Sequence, residues 1–465
     1  MTQHQELPGN EIDSRVFPVS ARRGTNCGRF KIGEVAANDL VREFGSPLYV
    51  VDENVARDRA RSAHAAFDRE AARIGTSATV YYASKALLCV DIARWMAQEG
   101  LAIDVASGGE LKVALAAGVD PHRIGFHGNN KSTAEIERAV AAGVGTIILD
   151  SIMEIARVAA AAREAGVRQR VRLRVNSGVH ASTHDYLATS HEDQKFGLPL
   201  AESEDAVREI TRYDSLEFVG LHCHIGSQIF ATDGFRESAK RLLSQYQALA
   251  QVVGYPLPEL NLGGGFGIAY TPEEADQAPD FADVAKQIAD IVAEVCDEFA
   301  MQPPKLAFEP GRSIIGPAGV TLYTVGTTKP IALVQDSAES SGHGAQQRLY
   351  VSVDGGMSDN ARPALYHADY HVRIANRRSQ AQPVLVRVVG KHCESGDIVV
   401  YEDYLPGDVQ PGDLLAVAAT GAYCWSLSSN YNYVPRPPIV AVRDGQARVI
   451  VRGETEDELL SYSVY

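Results

Sequence analysis

The sequence predicts an α/β protein made of a (β/α)8 barrel of the TIM type and a second, all-β domain built from both chain ends. Three observations predict it. From residue 78, eight β-rich runs alternate with alanine-rich stretches whose apolar residues recur three and four apart. After residue 316 the helical rhythm stops and β-rich segments follow one another between turn residues. Third, the eight runs end on polar residues or glycines although their bodies are apolar, as expected of strands that open onto one functional rim.

Taken in order, the runs are ATVYYAS, LAIDVAS, RIGFHG, TIILDS, VRLRVN, EFVGLHCHIGS, ELNLGGG and KLAFEPG. Between most of them lie patterns such as LLCVDIARWMAQEG and DSIMEIARVAAAAREAG, which read as amphipathic helices. An open doubly wound sheet is the rival arrangement, and the count of eight favours closure. The longest excursion, about residues 177 to 215, follows the fifth run and carries THDYLATSHEDQKFG, a candidate active-site loop. Beyond EPGRSIIGPAG come VTLYTVGTT, RLYVSVDGG, PVLVRVVG, DLLAVAATGAY and PIVAVRDGQARVIVR, with PLYVVDE near the N-terminus as a further strand for the same domain. The boundaries expected are 54–315 for the barrel, and 1–53 with 316–465 for the β domain. The polar stretch DSAESSGHGAQQ, 336 to 347, reads as an exposed loop.

A length of 465 residues suits two domains or three. With 45% hydrophobic and 22% charged residues the composition is that of an ordinary globular chain, and a formal net charge of −15 argues against nucleic-acid binding. No apolar run is long enough to cross a bilayer, and the opening MTQHQELPGNEIDSR lacks the pattern of an export signal. Six scattered cysteines at 27, 89, 223, 296, 393 and 424, without a C-x-x-C pair, read as free thiols, so a cytoplasmic location is expected.

The run ends supply Lys85, Asp104, His127, Asp150, Asn176, His224, Gly263 to Gly265, and Glu309 to Arg312. Barrels often bind a phosphate through the loops after strands seven and eight, where this chain carries LNLGGGFGI and FEPGR. The same glycines also suit a plain flexible turn, and a dinucleotide fingerprint is ruled out by isoleucine at 268. His222 and His224 share a strand face and could ligate zinc, but no carboxylate or third histidine stands out to complete a site, so no metal is expected. His222 then reads as structural, and His224 as a ring set against a planar ligand. Glu309, a carboxylate alone at the end of the eighth run, calls for a cation or a protonated nitrogen. Lysine, phosphate cradle, imidazole plate and carboxylate together describe a pyridoxal phosphate site.

YYASKA, HIGSQ, GGGFG and EPGR resemble the motif set of the alanine-racemase-fold (fold type III) pyridoxal phosphate decarboxylases. DGGMSDNARPALY, CESGD and GAYCWSLSSNYN are similar to the diaminopimelate decarboxylase family within that fold. The resemblance runs from residue 82 to 432 in family order. It implies a carboxy-lyase that converts meso-2,6-diaminopimelate to L-lysine and carbon dioxide, the last step of lysine biosynthesis. It also implies a homodimer whose sites combine both subunits. Lys85 would hold the cofactor through a Schiff base, and His224 would stack on its ring. Ser227, Gly265, Glu309, Pro310, Gly311, Arg312 and Tyr423 would bind it, Glu309 at the ring nitrogen and the others mainly at the phosphate. Substrate contacts carried over are Arg312, Arg362, Tyr366, Glu394 and Tyr423, and Cys393 is the implied proton donor, acting in the other subunit's site. An ornithine, lysine or arginine decarboxylase of the same fold is the nearest alternative, but its substrates lack the distal carboxylate that paired arginines suit. A non-catalytic pyridoxal phosphate-binding protein is another, opposed by intact Lys85 and Cys393. A cofactor-free lysine aldolase would leave the β-domain motifs unexplained.

Overall fold

The computed structural model describes residues 9–24, 28–179, 195–333 and 347–464. Most of the candidate loop THDYLATSHEDQKFG, nearly all of the stretch 336 to 347, and Cys27 lie outside the described residues. By internal contacts the chain forms two compact units: Arg57–Ile268 with Ala278–Ile314, and Met1–Ala56 with Ala269–Gln277 and Ile315–Tyr465. The first contains the barrel. By the same contacts Ala269–Gln277 groups with the β unit.

The barrel strands are β1 Ala78–Ala83, β2 Ala102–Val105, β3 Ile124–Phe126, β4 Thr146–Leu149, β5 Gln169–Asn176, β6 Leu216–His222, β7 Glu259–Gly264 and β8 Lys305–Glu309. All are parallel, each pairs with the next, and β8 returns to β1. Strands β2, β3, β4 and β7 are buried along their whole length, as expected of strands packed on both faces.

Local signals set the helix ends. Ser132 and Glu135 form a reciprocal capping box that opens the helix Thr133–Ala142, and Gly143 ends it in the left-handed region at φ +77. The helix Phe281–Glu298 buries Phe281, Val284, Ala285, Ile288, Val292 and Val295, one stripe at spacings of three and four. Around the barrel, the Phe67 ring stacks on Phe308 of β8 with centroids 4.0 Å apart. At the N-terminal end of the strands, buried Arg172 of β5 pairs with Glu259 of β7 at 2.6 Å and lies over the Tyr81 ring. This ion pair fills the barrel floor and leaves the opposite rim for chemistry.

The β unit is a sheet in the order Ile398–Pro406, Pro383–Val389, Gln347–Val353, Gly319–Ala332, Leu48–Asp52, Ile439–Arg443 and Gln446–Val451. Leu414–Val417 pairs with Gly319–Ala332 and with Val372–Ile374. The N-terminal strand expected from PLYVVDE is therefore internal to the sheet, antiparallel to Gly319–Ala332 and parallel to Ile439–Arg443. No helix among the described residues is long and apolar enough to cross a membrane.

Candidate active site

Lys85 sits in a single 3-10 turn, Ser84–Ala86, directly after β1. Its neighbours Ser84 and Ala86 are buried while Lys85 itself is exposed, and it makes no hydrogen bond or ion pair among the described residues. The turn after β8 docks against this strand end. The Ala83 N–H donates to the Pro310 carbonyl at 3.1 Å, and a Cβ on Gly311 would come within 2.9 Å of the Ala83 Cβ. Pro310 and Gly311 thus bring the EPGR turn against the strand that delivers Lys85.

Glu309, expected to face a cation or a protonated nitrogen, is met in the fold by one amide and two imidazoles. Its Oε1 accepts from Asn261 Nδ2 at 2.6 Å and lies 3.1 Å from His127 Nε2, while Oε2 lies 3.2 Å from His222 Nε2. Three donors leave one of the roughly four lone-pair positions of a carboxylate open. Burial pushes this carboxyl up, but His222 and His127 outweigh it and hold it well below the usual range. Burial also pushes His127 down to about 4, so at neutral pH it is an uncharged donor. Asp104, whose carboxylate lies 3.4 Å from the same His127 nitrogen, moves the other way: burial first, and then the charge of Glu309, raise it well above 3.8. Two neighbouring carboxyl groups are thereby pushed in opposite directions, Asp104 towards its protonated form and Glu309 towards its ionised form.

The expectation that no further ligand would complete a site around His222 also needs correcting. The ligand atoms of His127, His222 and Glu309 all lie within 4.8 Å of one another. They come from the residue after β3, from β6 and from β8, far apart in sequence, and both imidazole Nε2 atoms meet the Glu309 carboxylate.

The glycine turn after β7 is close-packed. A Cβ on Gly263 would meet the Cys223 carbonyl oxygen at 2.7 Å, and one on Gly265, at φ +97, would meet the Gly226 carbonyl oxygen at 2.1 Å. Gly264 N–H points to His224 Nδ1 at 3.4 Å, so the half-buried His224 ring rests on this turn. Burial and then the charge of Lys85 push His224 well below 6.5. Buried Arg312 donates to Ser227 Oγ at 2.8 Å, joining the loops after β6 and β8. An anionic carboxylate with an open position, side-chain-free backbone at the glycine turn, and an arginine–serine pair beside an available lysine fit pyridoxal phosphate.

In the β unit, Arg362 is buried and its guanidinium lies 4.3 Å from the Tyr270 ring centroid and 5.5 Å from that of Tyr370, to whose hydroxyl it donates. Among the described residues it has no carboxylate partner. Tyr366 ends the same short helix, Arg362–Tyr366, and is 41% exposed. Tyr423 is half-buried in the left-handed region at φ +61, a conformation that an aromatic residue rarely holds without purpose. Cys393 and Glu394 are exposed on a loop, and Cys393 is the one exposed thiol among the five described cysteines.

Sequence reasoning missed Asn261, Tyr270 and Tyr370. Asn261 is fully buried, donates to Glu309, and accepts the Gly263 N–H at 2.8 Å, so one amide orients both the carboxylate and the glycine turn. The signal was a polar residue set between the two leucines of the run ELNLGGG.

Residues 57–316 match the family described as "Pyridoxal-dependent decarboxylase, pyridoxal binding domain". The chain is 50% identical to a diaminopimelate decarboxylase of Mycobacterium tuberculosis, over 97% of this chain and 98% of that one. It is 42% identical to the Bacillus subtilis protein of the same name, over 96% and 97% respectively. A crystal structure of diaminopimelate decarboxylase from M. jannaschii, in co-complex with L-lysine, superposes with a TM-score of 0.84 at 30% identity, covering 96% of this chain and 98% of that one.

Proposed function

The chain belongs to the diaminopimelate decarboxylase family, and from that premise we propose that it uses pyridoxal phosphate to decarboxylate meso-2,6-diaminopimelate to L-lysine and carbon dioxide. The observation that carries the reading is Glu309, a buried carboxylate held anionic by three donors at the rim where β1 delivers Lys85. When bound, pyridoxal phosphate supplies an electron sink for the bond broken as carbon dioxide leaves.

The residues divide the remaining work. Lys85 is the amine that anchors the cofactor covalently. Glu309 accepts a proton-bearing ring nitrogen and keeps it protonated, because Asn261, His127 and His222 fix the carboxylate without neutralising it. His224, held neutral, offers a flat face to the ring. Arg312, Ser227 and the backbone around Gly265 and Gly311 hold the phosphate, a dianion that suits a guanidinium and main-chain N–H groups. Tyr423 helps to hold both cofactor and substrate. Arg312 and Arg362 take the substrate's distal carboxylate, Glu394 its distal ammonium, and Tyr366 lies against its chain. Cys393 donates the proton that replaces the lost carboxylate.

The same reading makes the working enzyme a homodimer in which Cys393 and Glu394 act on the other subunit's cofactor. Their exposure supports this, since a thiol and a carboxylate at a loop tip are free to serve a site outside their own fold. The cysteines at 89, 223, 296, 393 and 424 are not joined in disulfides, which suits the reducing cytoplasm. The test is to incubate the purified protein, supplied with pyridoxal phosphate, separately with meso-diaminopimelate, L-lysine and L-ornithine. Carbon dioxide should appear only with diaminopimelate, matched by L-lysine; release from ornithine or lysine at a comparable rate would overturn the assignment.

A further inference from the structure

The loop motif CESGD ends on Asp397, a residue outside the set proposed above to hold cofactor and substrate. Asp397 is 3% exposed, although Cys393, Glu394 and Ser395 on the same loop are exposed. Its Oδ1 accepts the Met357 N–H at 2.6 Å and its Oδ2 the His392 N–H at 2.7 Å. Two glycines make room for this carboxylate. A Cβ on Gly356 would lie 2.4 Å from Oδ1, and one on Gly390 would lie 2.2 Å from Oδ2. The Lys391 N–H donates to the Gly355 carbonyl at 2.9 Å and closes the seam between the two segments.

A second anchor stands at the other side of the exposed tip. His392 is 7% exposed; its Nε2 lies 2.9 Å from Ser358 Oγ and accepts the Ser358 N–H at 3.4 Å. That leaves the ring proton on Nδ1, which donates to Asn432 Oδ1 at 3.3 Å. The same Asn432 oxygen accepts the Cys393 N–H, also at 3.3 Å. The exposed residues 393 to 395 are therefore held between two buried anchors, His392 and Asp397, both tied to the segment that leads into Arg362. Burial raises the Asp397 carboxyl, with the Met357 and His392 N–H groups opposing.

We propose that Asp397 is a positioning residue for the reaction: its carboxylate clamps the Cys393–Glu394 tip onto the 355–358 segment and so fixes where the proton-donating thiol stands. This rests on the role of Cys393 proposed above. Asp397→Asn keeps the volume but turns an NH2 group toward one of the two N–H donors. Three measurements on the full-length, cofactor-loaded protein decide it. Hydrogen exchange of the amides in 355–358 and 390–393 should speed up roughly tenfold or more while the barrel amides stay as they were. The kcat on diaminopimelate should fall roughly tenfold or more with cofactor content unchanged. In a Cys393→Ala background, Asp397→Asn should lower kcat little further, because both changes remove the same function.

Unchanged exchange, a wild-type kcat in Asp397→Asn, or fully multiplicative losses in the double variant would each overturn the clamp. If Cys393→Ala alone retains full kcat, the reading of Cys393 as proton donor fails, and the clamp as a catalytic device falls with it even where exchange quickens. Should Asp397→Asn not fold, Asn432→Gly serves instead. It removes the oxygen that accepts the Cys393 N–H while keeping the left-handed backbone at φ +52, and the same outcomes decide.

Discussion

Replacing Arg362 by methionine should move activity and stability in opposite directions. Arg362 is 5% exposed, and among the described residues its compensation is two aromatic faces and one tyrosine hydroxyl. Burying a charge costs several kcal/mol even after relaxation. Against that stand about 0.5–2 kcal/mol for each ring contact and about 1.5–3 kcal/mol for the charged hydrogen bond. The balance is close, and without a carboxylate it leans towards a net penalty. Methionine fills similar space, keeps sulfur–aromatic contacts of about 0.3–1.5 kcal/mol, and removes the buried charge. The ligand-free protein should gain about 1 kcal/mol, or about 2–4 °C in Tm. Catalysis should suffer, because a charge-assisted contact to the substrate's distal carboxylate is worth about 1.5–3 kcal/mol, a loss of roughly 10- to 150-fold in kcat/KM. Carbon dioxide release and thermal melts without ligand measure the two effects. A lower Tm together with an unchanged kcat/KM would show that Arg362 is a structural strut and refute the reasoning.

Lys85→Ala should abolish turnover and leave unfolding within about 0.5 kcal/mol of wild type, since the exposed side chain makes no hydrogen bond or ion pair among the described residues. Borohydride should attach the cofactor to the peptide containing Lys85, and labelling of another lysine would sink the assignment. Mixing inactive Lys85→Ala with inactive Cys393→Ala subunits should restore some activity, since a mixed dimer holds one intact pair of contributions. No recovery after confirmed subunit exchange would rule out sharing. The Asp359 carboxyl is pushed up to about 7 by burial, so the folded chain keeps a proton that the unfolded chain has released. Its contribution is present below about pH 4 and lost as pH rises to about 7, an upper limit of about 4 kcal/mol. Asp359→Asn should flatten the dependence of Tm on pH between about 4 and 7, and an unchanged slope would exclude this group as its source.

The barrel was legible because parallel strands announce themselves as short β-rich runs and because functional groups collect at one end of each. That rule alone found Lys85, Asp104, His127, His224 and Glu309. It could not show who touches whom. The donor that orients Glu309 is Asn261, 48 residues earlier, and the contact depends on the register between β7 and β8. The same blindness left Glu309 without a named partner on paper and the His222 pair without companions, although His127 was already among the strand ends. In the β unit, DGGMSDNARP and CESGD were visible as motifs, but Asp397 gained meaning only when the fold laid Gly356 and Gly390 against its carboxylate. Arg362 gave its type from sequence and its burial without a counter-charge only from structure.

The strand Leu48–Asp52 has a consequence for how the chain is made. All five of its residues are buried between Gly319–Ala332 and Ile439–Arg443. During synthesis it leaves the ribosome long before either neighbour. At about 5–20 residues per second, the gap to residue 319 lasts roughly 13–50 s. The next strands to emerge are those of the barrel, which pair with one another and can close while this strand waits. For that interval the nascent protein carries an apolar, β-forming segment with both edges open, the kind of segment that recruits chaperones or pairs with a neighbouring nascent chain.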